Sequence, residues 1–352
     1  MKKVVTILLA VALVLALGVS AMAEGITYAL VTDVGNIDDQ SFNQGTWEGV
    51  KAFAEEQGLV EKVDYAYYRP SEDSDDARIE SIKAAIEAGA KVIVLPGYLW
   101  DNAVVTASAE FPDVAFLGVD LSPESYTPNV TNIKFTEEVS GYLAGYAAVK
   151  DGYTKLGFLG GIDVPAVIRY GFGYVQGADA AAKELGVTVD MKYWYSGAFW
   201  PTDEIKAKMD SWYADGTQIV FACGGGILYS CISAAEEGDG KIIGVDLDQG
   251  YISERIITSA YKKLTVATKN LLDMYVANNN AWPAEIAGVN VLQGIKEGAV
   301  GLPTEAASWR FKTFTVDEYT KVFNAISDGT IAISNDIVAQ PVTTNVTVDY
   351  QN

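Results

Sequence analysis

The chain has 352 residues, with 25 Lys+Arg against 46 Asp+Glu, a formal net charge of −21, and no histidine. Its length suits two domains or one large α/β unit, and 49% hydrophobic residues with 20% charged is a globular composition. The missing histidine excludes a Ser-His-Asp triad, a Cys-His dyad and His-liganded metals, and the acid excess opposes binding to nucleic acid or an anionic membrane surface.

Lys2 and Lys3 precede an apolar run from Val4 to Leu17, and Ala21-Met22-Ala23 has the small-x-small form of a cleavage site. This is the order of a secretory signal peptide over residues 1–23, with the mature chain starting near Glu24. A membrane anchor, the alternative, needs roughly 20 apolar residues, which the run does not supply. No cysteine lies near the cleavage site, so an acyl anchor is not expected there.

Beyond that point short β-branched runs alternate with helix-period segments, the pattern of parallel α/β architecture. Expected strands are 27–32, 63–68, 91–95 and 114–119, then 155–159, 187–194, 218–222 and 241–245. Expected helices are 41–57, 75–88, 137–150, 171–185 and 202–214, with Asp75 and Thr202 at helix starts and Gly89 and Gly216 at helix ends. A weak internal echo relates Lys91–Gly97, followed by Leu117-Gly118-Val119-Asp120, to Gln218–Gly224, followed by Ile243-Gly244-Val245-Asp246. Two similar doubly wound lobes explain the echo better than one long sheet. The Ser-, Pro-, Thr- and Asn-containing stretch 121–132 reads as the first crossover between them. Cys223 and Cys231 are either two buried free thiols or, in an exported chain, a disulfide.

Ligands of open parallel sheets sit beyond the carboxyl ends of the strands. The first such end, 33–43, carries Asp33, Asp38 and Asp39 and no Lys or Arg, so it would repel the phosphates that a dinucleotide fingerprint cradles. Asp120, Asp163 and Asp246 stand at further strand ends. Such acids either cap helices or accept hydrogen bonds from ligand hydroxyls and amines. Phe42 begins a helix and Phe199 lies in a loop before one; each is either core or part of a clamp for a flat ring. Gly224-Gly225-Gly226 serves either a tight turn or close backbone approach to a ligand.

A family resemblance follows from an ordered set of motifs: Val31-Thr32-Asp33-Val34-Gly35, Asp38-Asp39-Gln40-Ser41-Phe42-Asn43, Trp47-Glu48-Gly49, Tyr142-Leu143-Ala144-Gly145-Tyr146, Gly157-Phe158-Leu159-Gly160-Gly161, Gly171-Phe172, Gly244-Val245-Asp246-Leu247-Asp248-Gln249 and Thr258-Ser259-Ala260-Tyr261-Lys262. Together these resemble the basic membrane protein family of ABC-transporter substrate-binding proteins, the PnrA-like purine nucleoside receptors. The resemblance implies a type I periplasmic-binding-protein fold, with two doubly wound Rossmann-like lobes joined by a three-segment hinge. It implies a first lobe of 24–131 plus about 248–283 and a second of 132–247 plus about 284–352. It also implies site roles. Phe42 and Phe199 would sandwich the purine, and Asp33 and Asn43 would bond to the base edge or nearby polar atoms. Asp246 and Lys262 would hold the ribose, Gly225 would line the wall, and Asp120 would be a weaker contact. The resulting expectation is a non-catalytic receptor without cofactor, monomeric, exported, and docking on ABC-transporter permease subunits. A sugar or another small polar or signalling ligand in the same fold is the alternative. A secreted nucleoside hydrolase working through paired carboxylates such as Asp33 and Asp246 is a further one.

Overall fold

The computed structural model describes residues 25–351; the expected signal peptide, residues 1–23, lies outside them. Apolar β-branched runs form parallel strands close to their expected places. The chain first lays down β1 (Tyr28–Val31), β2 (Tyr65–Tyr68), β3 (Val92–Pro96), β4 (Ala115–Val119) and β5 (Val130–Phe135). It then forms β6 (Lys155–Gly160), β7 (Val189–Tyr195), β8 (Ile219–Cys223), β9 (Lys241–Asp246) and β10 (Ile256–Lys262). Three additions follow: β11 (Asn290–Gln293), β12 (Val300–Gly301) and β13 (Val346–Tyr350). Every residue of β1, β3, β4 and β8 is buried, as parallel strands covered on both faces require.

The helices are α1 (Phe42–Glu56), α2 (Asp75–Glu87), α3 (Asp101–Glu110), α4 (Glu137–Lys150), α5 (Pro165–Leu185), α6 (Asp203–Ala214), α7 (Ile227–Gly238), α8 (Leu264–Ala277) and α9 (Val316–Ser327). Ser74 rather than Asp75 caps α2, its Oγ accepting from the Ala77 amide at 3.2 Å. Thr202 caps α6 as expected, accepting from the Ile205 amide at 3.1 Å. Helix α5 starts six residues before the expected Gly171, with Pro165 in its first turn, where a missing N–H costs nothing.

Strand pairing gives two sheets, in the orders β11-β5-β4-β3-β1-β2 and β12-β10-β9-β8-β6-β7-β13. The cores of the two orders, 5-4-3-1-2 and 10-9-8-6-7, are the same path walked twice. The internal echo is that duplication: β3 corresponds to β8, and β4 to β9. The molecule is thus two doubly wound α/β lobes, and the chain passes between the sheets three times: after β5, after β10 and after β11.

The crossovers differ from the expected ones. Stretch 121–132 is a connection inside the first lobe, because β5 pairs with β4. The first lobe therefore runs to Phe135 rather than 131. The return from the second lobe comes after Lys262 rather than near 247, because β10 pairs with β9. It also extends to Gln293 rather than 283, because β11 pairs with β5. The reason is physical: each lobe adds its fifth strand without an intervening helix, so strand–helix alternation gives no sign of either strand.

Helices α4 and α5 pack at very close range. A Cβ at Gly141 or Gly145 would stand 2.1 Å from the Tyr170 or Tyr174 carbonyl oxygen, and one at Gly173 or Gly177 would meet the Glu138 or Tyr142 oxygen at 2.1 or 1.9 Å. Glycine at these four places lets the backbones touch, and that contact seats the first turn of α4 beside the second turn of α5 at the base of the inter-lobe cleft. Among the described residues, no helix is long and apolar enough to cross a membrane.

Candidate functional site

The carboxyl ends of both sheets face one cleft with a volume of about 750 Å³, solvent-facing mouth included. All eight residues singled out from the sequence line it: Asp33, Phe42, Asn43 and Asp120 from the first lobe, and Phe199, Gly225, Asp246 and Lys262 from the second. Asp163, the other strand-end acid, is exposed and is not among the lining residues.

The first strand end is a built turn. Asp39 works as the cap of α1: its carboxylate accepts from the amides of Ser41, Asn43 and Gln44 at 2.9, 3.0 and 3.0 Å. Asn43 donates through Nδ2 to both Asp33 Oδ1 (2.8 Å) and Asp39 Oδ2 (3.0 Å). The Gly35 amide also donates to Asp33 Oδ1, at 2.7 Å. Asn43 thus holds Asp33 in place, and Asp33 Oδ2, backed by Gly97, is the oxygen left for a ligand. So the three carboxylates of this loop divide: one caps, one is exposed, and one faces the cleft.

Burial pushes the Asp33 carboxyl up to about 6, against the pull of the Gly35 amide and Asn43. Folded Asp33 therefore holds its proton more tightly than the unfolded chain does. Its contribution to the stability of the free protein is present at low pH and is lost as pH rises through about 6. A ligand donating a hydrogen bond to the carboxylate has the opposite dependence. Its affinity should fall as pH drops below about 6, and Asp33→Asn should flatten that fall; affinities measured from about pH 8 to about pH 5 check both.

At the base of the cleft a single ammonium gathers three carboxylates. Lys262, the last residue of β10, is 2% exposed and donates to Asp120 Oδ2 at 2.5 Å and Glu137 Oε1 at 3.4 Å, with Asp246 Oδ1 at 3.6 Å. Ser41 Oγ donates to the other Asp246 oxygen at 2.5 Å, and Arg169 Nε to Glu137 Oε2 at 2.6 Å. Burial alone would lower the Lys262 pKa, but Asp120, Asp246 and Glu137 outweigh it and hold the amine charged. Burial would likewise raise Asp120, yet Lys262 keeps it below the usual carboxylate range. Asp246 remains raised, burial outweighing the help of Lys262 and Ser41. Asp120 and Asp246 end equivalent strands, β4 and β9, and both adopt left-handed backbone conformations, φ +62° and +64°. Such conformations are uncommon for non-glycine residues and cluster at ligand sites.

The aromatics come from opposite lobes. Phe42 opens α1 and lies 4.5 Å, ring centroid to Nζ, from Lys262. Phe199 rests its ring on Gly161, where a Cβ would come within 2.4 Å of two ring carbons. Its carbonyl accepts from the Gly226 amide at 2.8 Å, and a Cβ on Gly225, whose φ is +54°, would stand 3.2 Å from that carbonyl oxygen. The glycine triplet therefore fixes the Phe199 loop. Tyr98 and Leu99 add to the cleft wall, whereas Trp100 is fully buried in the core. Trp200, half exposed, lines a shallow opening at the cleft mouth with Asp33 and Arg69.

Cys223 also lines the cleft, and both cysteines are free and buried. Burial pushes the Cys231 thiol up to about 12 and Cys223 well above its ordinary value, so both thiols are held protonated. Sequence reasoning missed Ser41, Glu137, Arg169, Val164, Val167 and Tyr170. Pro165 was a usable signal for an earlier start to α5, and with it Val164 and Val167. The partnership of Glu137 with Lys262, 125 positions away, had no local signal.

A family model described as "ABC transporter substrate-binding protein PnrA-like" matches residues 26–336. The ABC transporter nucleoside-binding protein BmpA of Lactococcus lactis is 30% identical over 324 residues, covering 87% of this chain and 88% of that protein. Basic membrane protein A of Borreliella burgdorferi is 31% identical over 279 residues, 78% of each chain. Among solved structures, an ABC transporter solute-binding protein from Aeropyrum pernix superposes with a TM-score of 0.72 at 23% identity, covering 89% of this chain and 88% of that one.

Proposed function

The chain belongs to the PnrA-like family of ABC transporter substrate-binding proteins, and from that premise we propose that its inter-lobe cleft takes a purine nucleoside for delivery to an importer. The base lies between Phe42 and Phe199, with its edge at Asp33 oriented by Asn43. The ribose hydroxyls meet Asp246 and Lys262, with Asp120 beside them and Gly225 on the wall. The receptor acts outside the cytoplasm as a monomer, hands its ligand to permease subunits, and performs no chemistry.

One observation carries the reading: two aromatic rings from opposite lobes and a Lys262-centred carboxylate cluster line the same cleft. Rings offer dispersion and offset stacking to a flat base. Carboxylates accept from neutral hydroxyls, and the Lys262 ammonium, the one buried among the described residues, is committed to three acids rather than free for a phosphate. The nucleoside-binding relative from Lactococcus lactis points to the same ligand class.

Inosine, guanosine or adenosine should raise the melting temperature, since a ligand that binds only the folded state stabilises it. The 5′-monophosphates should do much less. A shift with a simple sugar and none with any nucleoside would replace the ligand while leaving the receptor role.

A further inference from the structure

Tyr170 lies in the second turn of α5 and is 1% exposed. Its ring packs edge-on against Phe221, centroids 5.8 Å apart, and its side chain lines the cleft beside Cys223, Val245, Asp246 and Lys262. Lys262 Nζ stands 5.6 Å from the ring centroid. The Tyr170 hydroxyl is buried, and no group among the described residues bonds to it. Asp120 Oδ1 is buried and unpartnered in the same way, while Oδ2 of that carboxylate is held by Lys262. Among the residues lining the cleft, the Tyr170 hydroxyl and Asp120 Oδ1 are thus the buried polar atoms without partners, both close to Lys262.

An unpartnered buried hydroxyl carries the desolvation cost of a hydrogen bond not made, and phenylalanine would fill the same space without it. Burial, reinforced by the nearby Asp246 and Glu137 charges, keeps the phenol protonated, so it is available as a donor. A base edge offers donors and acceptors in one plane, against the aromatic walls. A sugar diol offers hydroxyls that both donate and accept, which suits a free donor and a free acceptor together. Building on the nucleoside reading above, we infer that Tyr170 is a sugar-specificity residue, donating its hydroxyl hydrogen to a ribose oxygen while Asp120 Oδ1 accepts from the diol.

Tyr174, one turn further along α5, also buries an unpartnered hydroxyl but lies outside the cleft lining, so it supplies the control. Calorimetric titration of a purine ribonucleoside and its 2′-deoxy and 3′-deoxy forms into wild type, Tyr170→Phe and Tyr174→Phe separates the cases. Tyr170→Phe should bind the ribonucleoside about tenfold more weakly, the scale of one hydrogen bond, and should bind one of the deoxy forms as wild type does. Tyr174→Phe should match wild type throughout. Free Tyr170→Phe should melt no lower than wild type. Unchanged ribonucleoside affinity in Tyr170→Phe, or an equal loss for all three ligands, would overturn the assignment of Tyr170 alone. Wild-type protein that binds none of the three would overturn the nucleoside reading and this inference with it.

Discussion

Replacing Lys262 with methionine should cost about 3–5 kcal/mol of folding stability at neutral pH and abolish ligand binding. The side chain is 2% exposed, and its ammonium stands between Asp120, Glu137 and Asp246. Methionine fills the volume but leaves three buried carboxylates facing one another, with Arg169, Ser41 and the more distant Lys134 to compensate. Arg169 still bonds Glu137 and Ser41 still bonds Asp246, whereas Asp120 loses its hydrogen-bond partner and keeps only the through-space attraction of Lys134 and Arg169, so it is the acid most exposed to the loss. Asp120→Asn combined with Lys262→Met should therefore recover part of the stability, and so should lowering the pH until that carboxylate protonates. Urea unfolding of the single and double variants measures both effects. A loss below about 1 kcal/mol, the range of exposed pairs, would mean that the cluster is hydrated and contributes little.

Phe199→Ala should weaken purine nucleoside binding by about 1–3 kcal/mol while leaving the fold nearly as stable. The ring is half-buried and sits on the bare face of Gly161, so its removal empties a cleft wall rather than the core. Pyrimidine nucleosides present a smaller stacking face and should lose less. Titration of both classes into the variant gives the answer; equal losses would make Phe199 a wall residue without preference for the larger base.

Much of this architecture is legible in the chain. Eight expected strands lie within about three residues of observed ones, and six of them are apolar runs leading into glycine or aspartate, because buried parallel strands need continuous apolar sequence. The duplicated Gly-Val-Asp ends at Asp120 and Asp246 mark equivalent strands of the two lobes. What escaped were strands without that signature. β5 (Val130–Phe135) contains Thr, Asn and Lys, and β10 follows a loop where a helix was due. Missing these two, and β11 with them, displaced the lobe boundaries.

The site divides along a similar line. Asp33, Phe42, Phe199 and Asp246 could be singled out because a residue type and a strand-end or loop position coincide. Lys262 followed from the family motif alone. Its partner Glu137 did not, since it reads as an ordinary helix residue, and Arg169 lay just outside the expected helix until the glycine contacts of α4 and α5 bring the two together. Asn43, singled out with them, lines the cleft and bonds the nearby carboxylates of Asp33 and Asp39. Tyr170 was hidden in a segment read as loop, one residue before the expected helix.

Calorimetric titration of protein that has been unfolded and refolded to strip any retained ligand decides whether the cleft takes a purine nucleoside. A purine nucleoside should bind saturably, one per chain, and about tenfold or more tighter than its 5′-monophosphate, which the acidic cleft repels. No saturable heat with any purine nucleoside at millimolar concentration, or tighter binding of the monophosphate, would contradict it.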